Sequence, residues 1–232
     1  MADTIELKVM TSNALRTVFG ELVPAFERAH GIRIAATYDP AKRVQMRLAA
    51  GETADVAVSN LPAIERMINE GILDAASRRE FAQYGIAIAI KAGAPKPDLS
   101  TVEAFKRTLL AARSVACTID GASGMYFAQL IQQLGIADAV NAKASRQPGG
   151  LCAEQLLDGR ADIAIQQVPE LLAAGRGIEI AGMFPAELQK MSVLSAGVFR
   201  SSVQAAAGHA FIAFLATAEA SRSFKAAGFD PN

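Results

Sequence analysis

The chain has 232 residues, of which 51% are hydrophobic and 20% are charged, and its 23 Lys and Arg balance its 23 Asp and Glu. This length suits one large domain or two lobes of about 100 residues each, and the composition excludes a disordered chain. The zero net charge predicts neither a nucleic-acid partner nor an anionic membrane surface, and no apolar run approaches the roughly 20 residues that cross a bilayer.

The N-terminus, Met1-Ala2-Asp3-Thr4, passes directly into an apolar strand and shows no signal-peptide pattern. Two interpretations stay open at this point. The chain is either cytoplasmic or the mature form of an exported protein with an added start methionine.

The two cysteines, Cys117 and Cys152, bear on metal binding and on the compartment. Two cysteines with only two histidines do not predict a zinc site. A disulfide would fit an oxidising compartment, but two buried free thiols are the favoured interpretation. We expect no metal and no cofactor.

Strands and helices alternate through the first third of the chain. The predicted strands span residues 7–10, 32–37 and 55–59, and the predicted helices span 12–29, 41–50 and 62–69. Each helix is followed by a glycine, the usual residue after a helix C-terminus: Gly31, Gly51 and Gly71. This alternation implies parallel strands joined by crossover helices.

A second α/β series begins near Gln83 and contains a turn-rich break at 92–97. The predicted strands of this series are 84–91, 114–118, 143–146 and 162–166, and segments 178–180 and 191–199 are extended. The predicted helices are 101–112, 123–134, 151–158, a short one opened by Pro169, and the closing pair 203–217 and 219–227. Short connections favour two lobes joined by strand-like crossings over two domains on a linker.

The first strand-to-helix junction is the segment Thr11-Ser12-Asn13. The helix after it has apolar residues spaced as one face of an α-helix: Leu15, Val18, Phe19, Leu22, Val23 and Phe26. All three junction residues are helix-capping types. Because a helix N-terminus carries free N–H groups and a partial positive charge, this junction is a candidate anion site. For a single such motif, an ordinary cap is the more frequent explanation.

Two further junctions have the same character. Ser123-Gly124-Met125 opens a helix after the predicted strand 114–118, and its small residues would leave N–H groups unobstructed. Gly149-Gly150 precedes the predicted helix 151–158. Together with the first junction these helix starts could converge on one anionic group.

Basic and amide side chains complete the set of candidates. Lys42 and Arg43 stand at the start of a helix, where they either form a solvated surface pair or supply charge to a carboxylate or phosphate. Gln166-Gln167 ends an apolar strand, where amides often orient a ligand. Ser59, at the end of the third predicted strand, is a further candidate.

Catalytic motifs are absent from the sequence. It contains no GxSxG, no GxGxxG after a strand, no GxxxxGK[ST] and no HExxH. His30 and His209 have no spaced carboxylate or serine partner that would suggest a triad. The sequence therefore favours a binding protein over an enzyme.

Nearly the whole chain resembles the periplasmic solute-binding proteins, and among them the molybdate-binding class. The segment Leu22-Val23-Pro24-Ala25-Phe26-Glu27 with Gly31-Ile32 resembles the family pattern L-x-P-A-F-E…G-I, and 184–189 resembles P-x-E-[IL]-Q. The other matching segments are 11–15, 54–59, 86–91 with Gly93 and Pro95, 122–128 and 159–164.

The resemblance implies a type II periplasmic-binding-protein fold: two Rossmann-like α/β lobes joined by two hinge crossings, with the ligand in the cleft. One lobe would comprise residues 1–82 plus 196–232, and the middle lobe residues 83–195. It also implies a periplasmic location after removal of a signal peptide, a monomer, the membrane subunits of an ABC importer as partner, and no catalysis.

The ligand residues of the family carry over only in part. Ser12 matches the serine of the first junction, Ser123 matches a backbone donor, and Gly149 or Gly150 matches the next one. The serine-rich turn after the second strand is replaced by Asp39-Pro40-Ala41-Lys42-Arg43, and Gln167 stands where the family has a tyrosine.

These replacements lead to a hypothesis about the ligand. We expect an organic di- or tricarboxylate or a phosphorylated metabolite rather than molybdate. Molybdate or tungstate binding stays an alternative, as does an isomerase or lyase of small acids on the same scaffold, for which Asp120, Tyr126 or Lys42 could supply the ionisable group. A regulatory effector-binding lobe is less favoured, because no helix-turn-helix precedes the first strand.

Overall fold

The structure is a computed structural model that describes residues 5–39 and 41–231; the side chains of residues 41 and 42 lie outside the description. The chain forms two compact units. Unit 1 runs to Tyr84 and resumes at Ser192, and unit 2 spans Gly85–Met191. The chain therefore passes from one unit to the other twice, close to the predicted boundaries at 82/83 and 195/196.

The elements of unit 1 before the first crossing follow the predicted alternation. They are β1 (Glu6–Ser12), α1 (Arg16–His30), β2 (Arg33–Asp39), α2 (Ala41–Ala49), β3 (Val56–Asn60), α3 (Leu61–Asn69) and β4 (Arg79–Tyr84), with 3-10 turns at Asn13–Leu15 and Ala75–Ser77.

Unit 2 repeats the strand–helix alternation. Its elements are β5 (Ile86–Lys91), α4 (Val102–Ala111), β6 (Val115–Thr118), α5 (Ala122–Gln133), α6 (Ala137–Asn141), β7 (Ala144–Gln147), α7 (Glu154–Leu157), β8 (Ile163–Gln167), α8 (Val168–Ala173) and β9 (Ile178–Met183), with a 3-10 turn at Ala186–Leu188. The chain then returns to unit 1 as β10 (Ser192–Val198), α9 (Ala205–Leu215), α10 (Ala218–Ala226) and β11 (Asp230–Pro231).

The described part of unit 1 is built on a six-stranded sheet in the order β11-β4-β10-β3-β1-β2. Strand β1 runs parallel to both β2 and β3, so the carboxyl ends of these strands lie at one edge of the sheet. Helices α1, α9 and α10 cover one face, where Phe26 packs edge-on against Phe211 with ring centroids 5.0 Å apart. At the opposite edge Asp55 directly precedes β3, and its carboxylate accepts from the Lys8 backbone N–H at 2.7 Å and from the Ser202 hydroxyl at 2.6 Å.

The described part of unit 2 is built on a five-stranded sheet in the order β7-β6-β8-β5-β9, with β6 parallel to β7 and β8. An apolar cluster covers each face. Cys117 belongs to one cluster and Cys152 to the other, and both are buried free thiols, as predicted. Among the described residues no helix has both the length and the apolar character needed to span a membrane.

The structure corrects several predicted boundaries. The single predicted strand 84–91 is two strands, β4 and β5, separated at Gly85, where a Cβ would lie 2.5 Å from the Met183 side chain. The first helix starts with a 3-10 turn, and the predicted helix 151–158 contracts to α7 because the preceding turn extends to Ala153. Strand β4 before Tyr84, helix α6 and strand β11 were missed by the sequence prediction.

Candidate functional site

The junction in unit 1 contains one buried hydroxyl without a partner. Ser12 ends β1 in an extended conformation and precedes the 3-10 turn, but its side chain makes no capping hydrogen bond. Its Oγ is buried and has no partner among the described residues. The Thr11 hydroxyl, by contrast, donates to the Val58 carbonyl at 2.9 Å, and Asn13 is exposed. Of the three predicted residues, Ser12 therefore has a free polar atom.

The junction in unit 2 has two such hydroxyls. Strand β6 ends at Thr118 and α5 begins at Ala122, with Gly121 in the N-cap position and therefore no capping side chain. The Thr118 and Ser123 side chains are buried, at 3% and 1% exposure, and neither hydroxyl has a partner in the described part of the chain. The free N–H groups of the first turn of α5 point in the N-terminal direction of the helix. Donor groups are thus concentrated where the helix has its partial positive charge.

Gly124 brings α5 against the end of β6. A Cβ at this position would lie 1.8 Å from the Thr118 carbonyl oxygen, and one at Gly121 would lie 2.4 Å from the Thr118 hydroxyl oxygen. Because the Thr118 carbonyl belongs to the backbone, no side chain fits at position 124, and Gly124 is required for the packing of the junction. The predicted role of Gly124 as a ligand contact stays a prediction, and its backbone role is evident from the geometry.

Glutamine side chains hold the turn between β7 and α7. Gln166 is 1% exposed; its Oε1 accepts from the Cys152 N–H at 3.0 Å and its Nε2 donates to the Gly150 carbonyl at 2.8 Å. Gln147 donates to the Gly149 carbonyl at 2.8 Å. The carbonyls of Gly149 and Gly150 are therefore engaged within the turn, and Gly150 has a positive φ of 85° that favours glycine.

The same turn lies beside the start of α5. The Ile119 N–H donates to the Gln147 carbonyl at 2.8 Å, and the Asp120 N–H donates to the Pro148 carbonyl at 3.1 Å. Thr118 and Gln147 are direct partners in the parallel pairing of β6 and β7. The second and third predicted junctions therefore form one continuous edge of unit 2.

Gln167 and Glu170 follow at the end of β8. Gln167 is buried at 7% exposure. Glu170, on α8, is half-buried, and burial raises its pKa to about 7, against opposing hydrogen bonds from the Gln167 backbone and the Gln166 side chain. This carboxyl changes charge close to neutral pH.

The remaining predicted residues are placed differently. Arg43 is 72% exposed and forms an ion pair with Asp39 at 3.2 Å, and the Lys42 side chain lies outside the described residues. Ser59 is half-buried and lines, with Thr11, a mostly apolar cavity of about 510 Å³ between α2 and α3. Met125 is 52% exposed. The structure leaves the proposed ligand contacts of these residues as predictions.

Sequence reasoning missed three residues of the unit 2 edge: Thr118, Gln155 and Glu170. Thr118 is the last residue of a short apolar strand, and Gln155 is a polar residue among the buried positions of α7. Both could have been noticed as polar residues at apolar positions. The altered pKa of Glu170 depends on tertiary burial and has no local signature in the sequence.

The described residues include no group of three or more His, Cys, Asp or Glu side chains that could hold a metal ion. The sequence predicted three ionisable residues that an enzyme could use. Asp120 is exposed, the Tyr126 hydroxyl donates to the Leu188 carbonyl at 2.8 Å, and the Lys42 side chain is not described.

The two α/β units have the type II periplasmic-binding-protein architecture. A family model described as bacterial extracellular solute-binding protein matches residues 7–230, and the chain belongs to this family. An aconitate isomerase from a Pseudomonas species is 32% identical, over 97% of this chain and 87% of that protein.

Two solved structures illustrate the likeness of the fold. The periplasmic molybdate-binding protein of Azotobacter vinelandii is 22% identical with a TM-score of 0.76, over 96% of this chain and 98% of that one. The sulfate-binding protein of Mycobacterium tuberculosis H37Rv is 19% identical with a TM-score of 0.76, over 98% and 87%. The family and these structural neighbours are binding proteins.

Gly124→Ala tests the packing of the unit 2 junction. The added methyl group would overlap the Thr118 carbonyl oxygen, so we expect the free energy of unfolding to fall by about 3 kcal/mol. Gly20→Ala is the matched control, because nothing lies within 4 Å of its Cβ position in α1; it should raise stability by about 0.5–1 kcal/mol. Urea denaturation measures both, and equal effects of the two substitutions would contradict the packing argument.

Glu170→Gln tests the buried carboxyl. In the folded protein the Glu170 pKa of about 7 lies above its ordinary value of 4.5, so the folded state holds this proton more tightly than the unfolded chain does. The resulting stabilisation is complete below about pH 4.5 and is lost as the pH rises through 7. Between about pH 5 and pH 8 the wild-type protein should lose up to about 3 kcal/mol more stability than the variant. Urea denaturation across this range measures the difference. Glu187→Gln, at an exposed position, should keep the wild-type pH dependence, and the same dependence in Glu170→Gln would refute the assignment.

Proposed function

We propose that this chain is an extracytoplasmic solute-binding protein that captures a small organic anion, a di- or tricarboxylate, for uptake by an ABC-type importer. Its location would be the periplasm, and its partners would be the membrane subunits of the importer. The observation that carries the proposal is the set of buried, partnerless hydroxyls beside helix starts: Ser12 in unit 1, and Thr118 and Ser123 in unit 2.

An anion fits these groups for two reasons. A buried hydroxyl without a partner loses about 1–3 kcal/mol relative to one that is hydrogen-bonded, and an anion bound there would supply the missing acceptor. The first turn of α5 adds N–H donors and the partial positive charge of the helix end. Neutral donors can stabilise an anion without the large desolvation penalty of burying a cationic side chain.

Two departures from the molybdate-binding pattern favour an organic ligand. The segment Asp39-Pro40-Ala41-Lys42-Arg43 stands where that class has a serine-rich turn, so basic residues replace serine hydroxyls. Asp39 is itself paired with Arg43 and Arg47. Gln167 stands in place of a tyrosine and offers both a donor and an acceptor. The relative named as an aconitate isomerase acts, by its name, on a tricarboxylate. A phosphorylated metabolite, molybdate and tungstate are alternatives for the calorimetric test, and the Lys42–Arg43 pair stays a proposed source of positive charge.

Calorimetry against molybdate, tungstate, sulfate, a phosphorylated acid and a panel of di- and tricarboxylates tests the proposal. We expect binding of a carboxylate, and we expect Ser123→Ala to weaken it about tenfold, since one charge-assisted hydrogen bond is removed. Tight binding of molybdate with no carboxylate binding would contradict the proposal.

Ser201→Ala provides the control for these substitutions, because Ser201 is exposed in a turn of unit 1. Its carboxylate affinity should equal that of the wild-type protein. Thermal melts of all variants separate a lost contact from a lost fold. If Ser123→Ala and Ser201→Ala bind equally well, the unit 2 hydroxyl does not contact the ligand.

A second candidate function is the isomerisation of a small unsaturated acid, and the observation that favours it is the 32% identity to an aconitate isomerase. Moving a double bond by proton transfer requires an acid–base group that titrates near the working pH. Glu170 has such a pKa, and Asp120 and Tyr126 are further candidates on the same unit.

Proton NMR of the protein with cis-aconitate and with trans-aconitate distinguishes the two functions. A pure binding protein leaves each isomer unchanged over hours, as we expect. Turnover that disappears in Glu170→Gln would establish an isomerase and assign its acid–base group. Turnover that persists in this variant would direct the search to Asp120 and Tyr126.

A further inference from the structure

In unit 2 the side chains of Gln155 and Gln147 and the Gly149 carbonyl form a chain of hydrogen bonds. The donors and acceptors in this chain can be assigned in only one way. Gln147 Nε2 donates to the Gly149 carbonyl at 2.8 Å, so Gln147 Oε1 must be the acceptor for its neighbour. Gln155 Nε2 donates to this Oε1 at 2.9 Å. A backbone carbonyl can only accept, so the orientation of both amides is fixed, and Gln155 Oε1 is left at the end of the chain.

Gln155 Oε1 has no hydrogen-bond partner within the described residues, and the side chain is 2% exposed. A buried amide oxygen without a donor loses about 1–3 kcal/mol. An amide oxygen cannot donate, so a fully ionised oxyanion offers it nothing. It needs a ligand that brings a donor of its own.

The position of Gln155 relates it to the proposed anion site. Its partner Gln147 ends β7 directly beside Thr118 in the parallel pairing, and both strands end at the start of α5. Two buried hydroxyls that can donate, on Thr118 and Ser123, thus share one edge with a buried oxygen that can only accept. A ligand that satisfies all three combines an anionic oxygen with an O–H group.

We propose that Gln155 is a specificity-determining residue that accepts a hydrogen bond from an O–H group of the bound carboxylate. The O–H group is either an alcohol of a hydroxy acid or a carboxyl group that keeps its proton. This inference rests on the proposed function and narrows its ligand class. It also predicts that fully ionised inorganic oxyanions bind poorly.

Citrate and tricarballylate are the matched probes, because they differ by one hydroxyl group. At about pH 8, where the carboxyl groups of both are ionised, an alcohol donor predicts that the wild-type protein binds citrate about tenfold more tightly. A protonated-carboxyl donor predicts equal affinities for the two acids at that pH, and about tenfold tighter binding of each acid at about pH 5 than at about pH 8. Calorimetry measures both comparisons.

Gln155→Leu and Gln155→Met remove the acceptor and keep most of the volume. Whichever affinity difference the wild-type protein shows should disappear in both variants. Gln129→Leu, an exposed substitution on α5, should keep that difference. Glu170 titrates in all of these proteins, so the informative quantity is the difference between wild-type and variant. Two variants, checked by thermal melts, guard against a single substitution that fails to fold.

The outcomes separate this inference from the proposed function. Carboxylate binding with no preference in the wild-type protein, or with a preference that persists in both Gln155 variants, overturns the inference alone; a buried water on Gln155 Oε1 would give this result. A lack of binding by every carboxylate overturns the proposed function and the inference together.

Discussion

The close approach of α5 to the end of β6 is the constraint on which the rest of unit 2 depends. Gly124 allows the helix to start directly against the Thr118 carbonyl, at a distance that excludes any Cβ. The Ser123 hydroxyl is thereby buried at the first turn, and the Thr118 hydroxyl is buried beneath it without a partner. A backbone contact thus creates the concentration of donors that makes this junction suited to an anion.

Neutral amides, rather than charged side chains, organise the rest of this edge. Gln166 fixes the turn through Cys152 and Gly150, and Gln147 fixes it through Gly149. Amides of known orientation give the edge both donor and acceptor character, whereas ionised side chains at the same depth would need paired counter-charges. An edge with both donors and acceptors suits an organic anion, which can carry O–H groups as well as ionised oxygens, better than it suits a symmetric inorganic anion.

The sequence predicted much of the fold because the relevant signals are local. Apolar spacing in α1 and glycines after the helices mark elements that the structure contains. It also placed Ser12 and Ser123 at strand-to-helix junctions, where the structure finds buried hydroxyls. The break at Gly85 was missed because β4 and β5 belong to different sheets, pairing with β10 and with β8 and β9, and such long-range pairing has no local signature.

The remaining features of the site are tertiary in origin. Gln155 became a candidate only once Gln147 and Gly149 fixed the direction of its amide. The pKa of Glu170 follows from burial, and the Arg43 ion pair with Asp39 follows from the succession of β2 and α2. The i,i+4 spacing of Asp39 and Arg43 could have suggested their ion pair. The direction of the Gln155 amide and the burial of Glu170 could not be predicted, because they depend on which atoms meet in the folded chain.

Native mass spectrometry of the protein with an equimolar mixture of citrate and molybdate tests the central claim most directly. We expect a bound species with the mass of citrate, present in Ser201→Ala and depleted in Ser123→Ala. A bound species with the isotope pattern of molybdenum, and none with the mass of citrate, would contradict it.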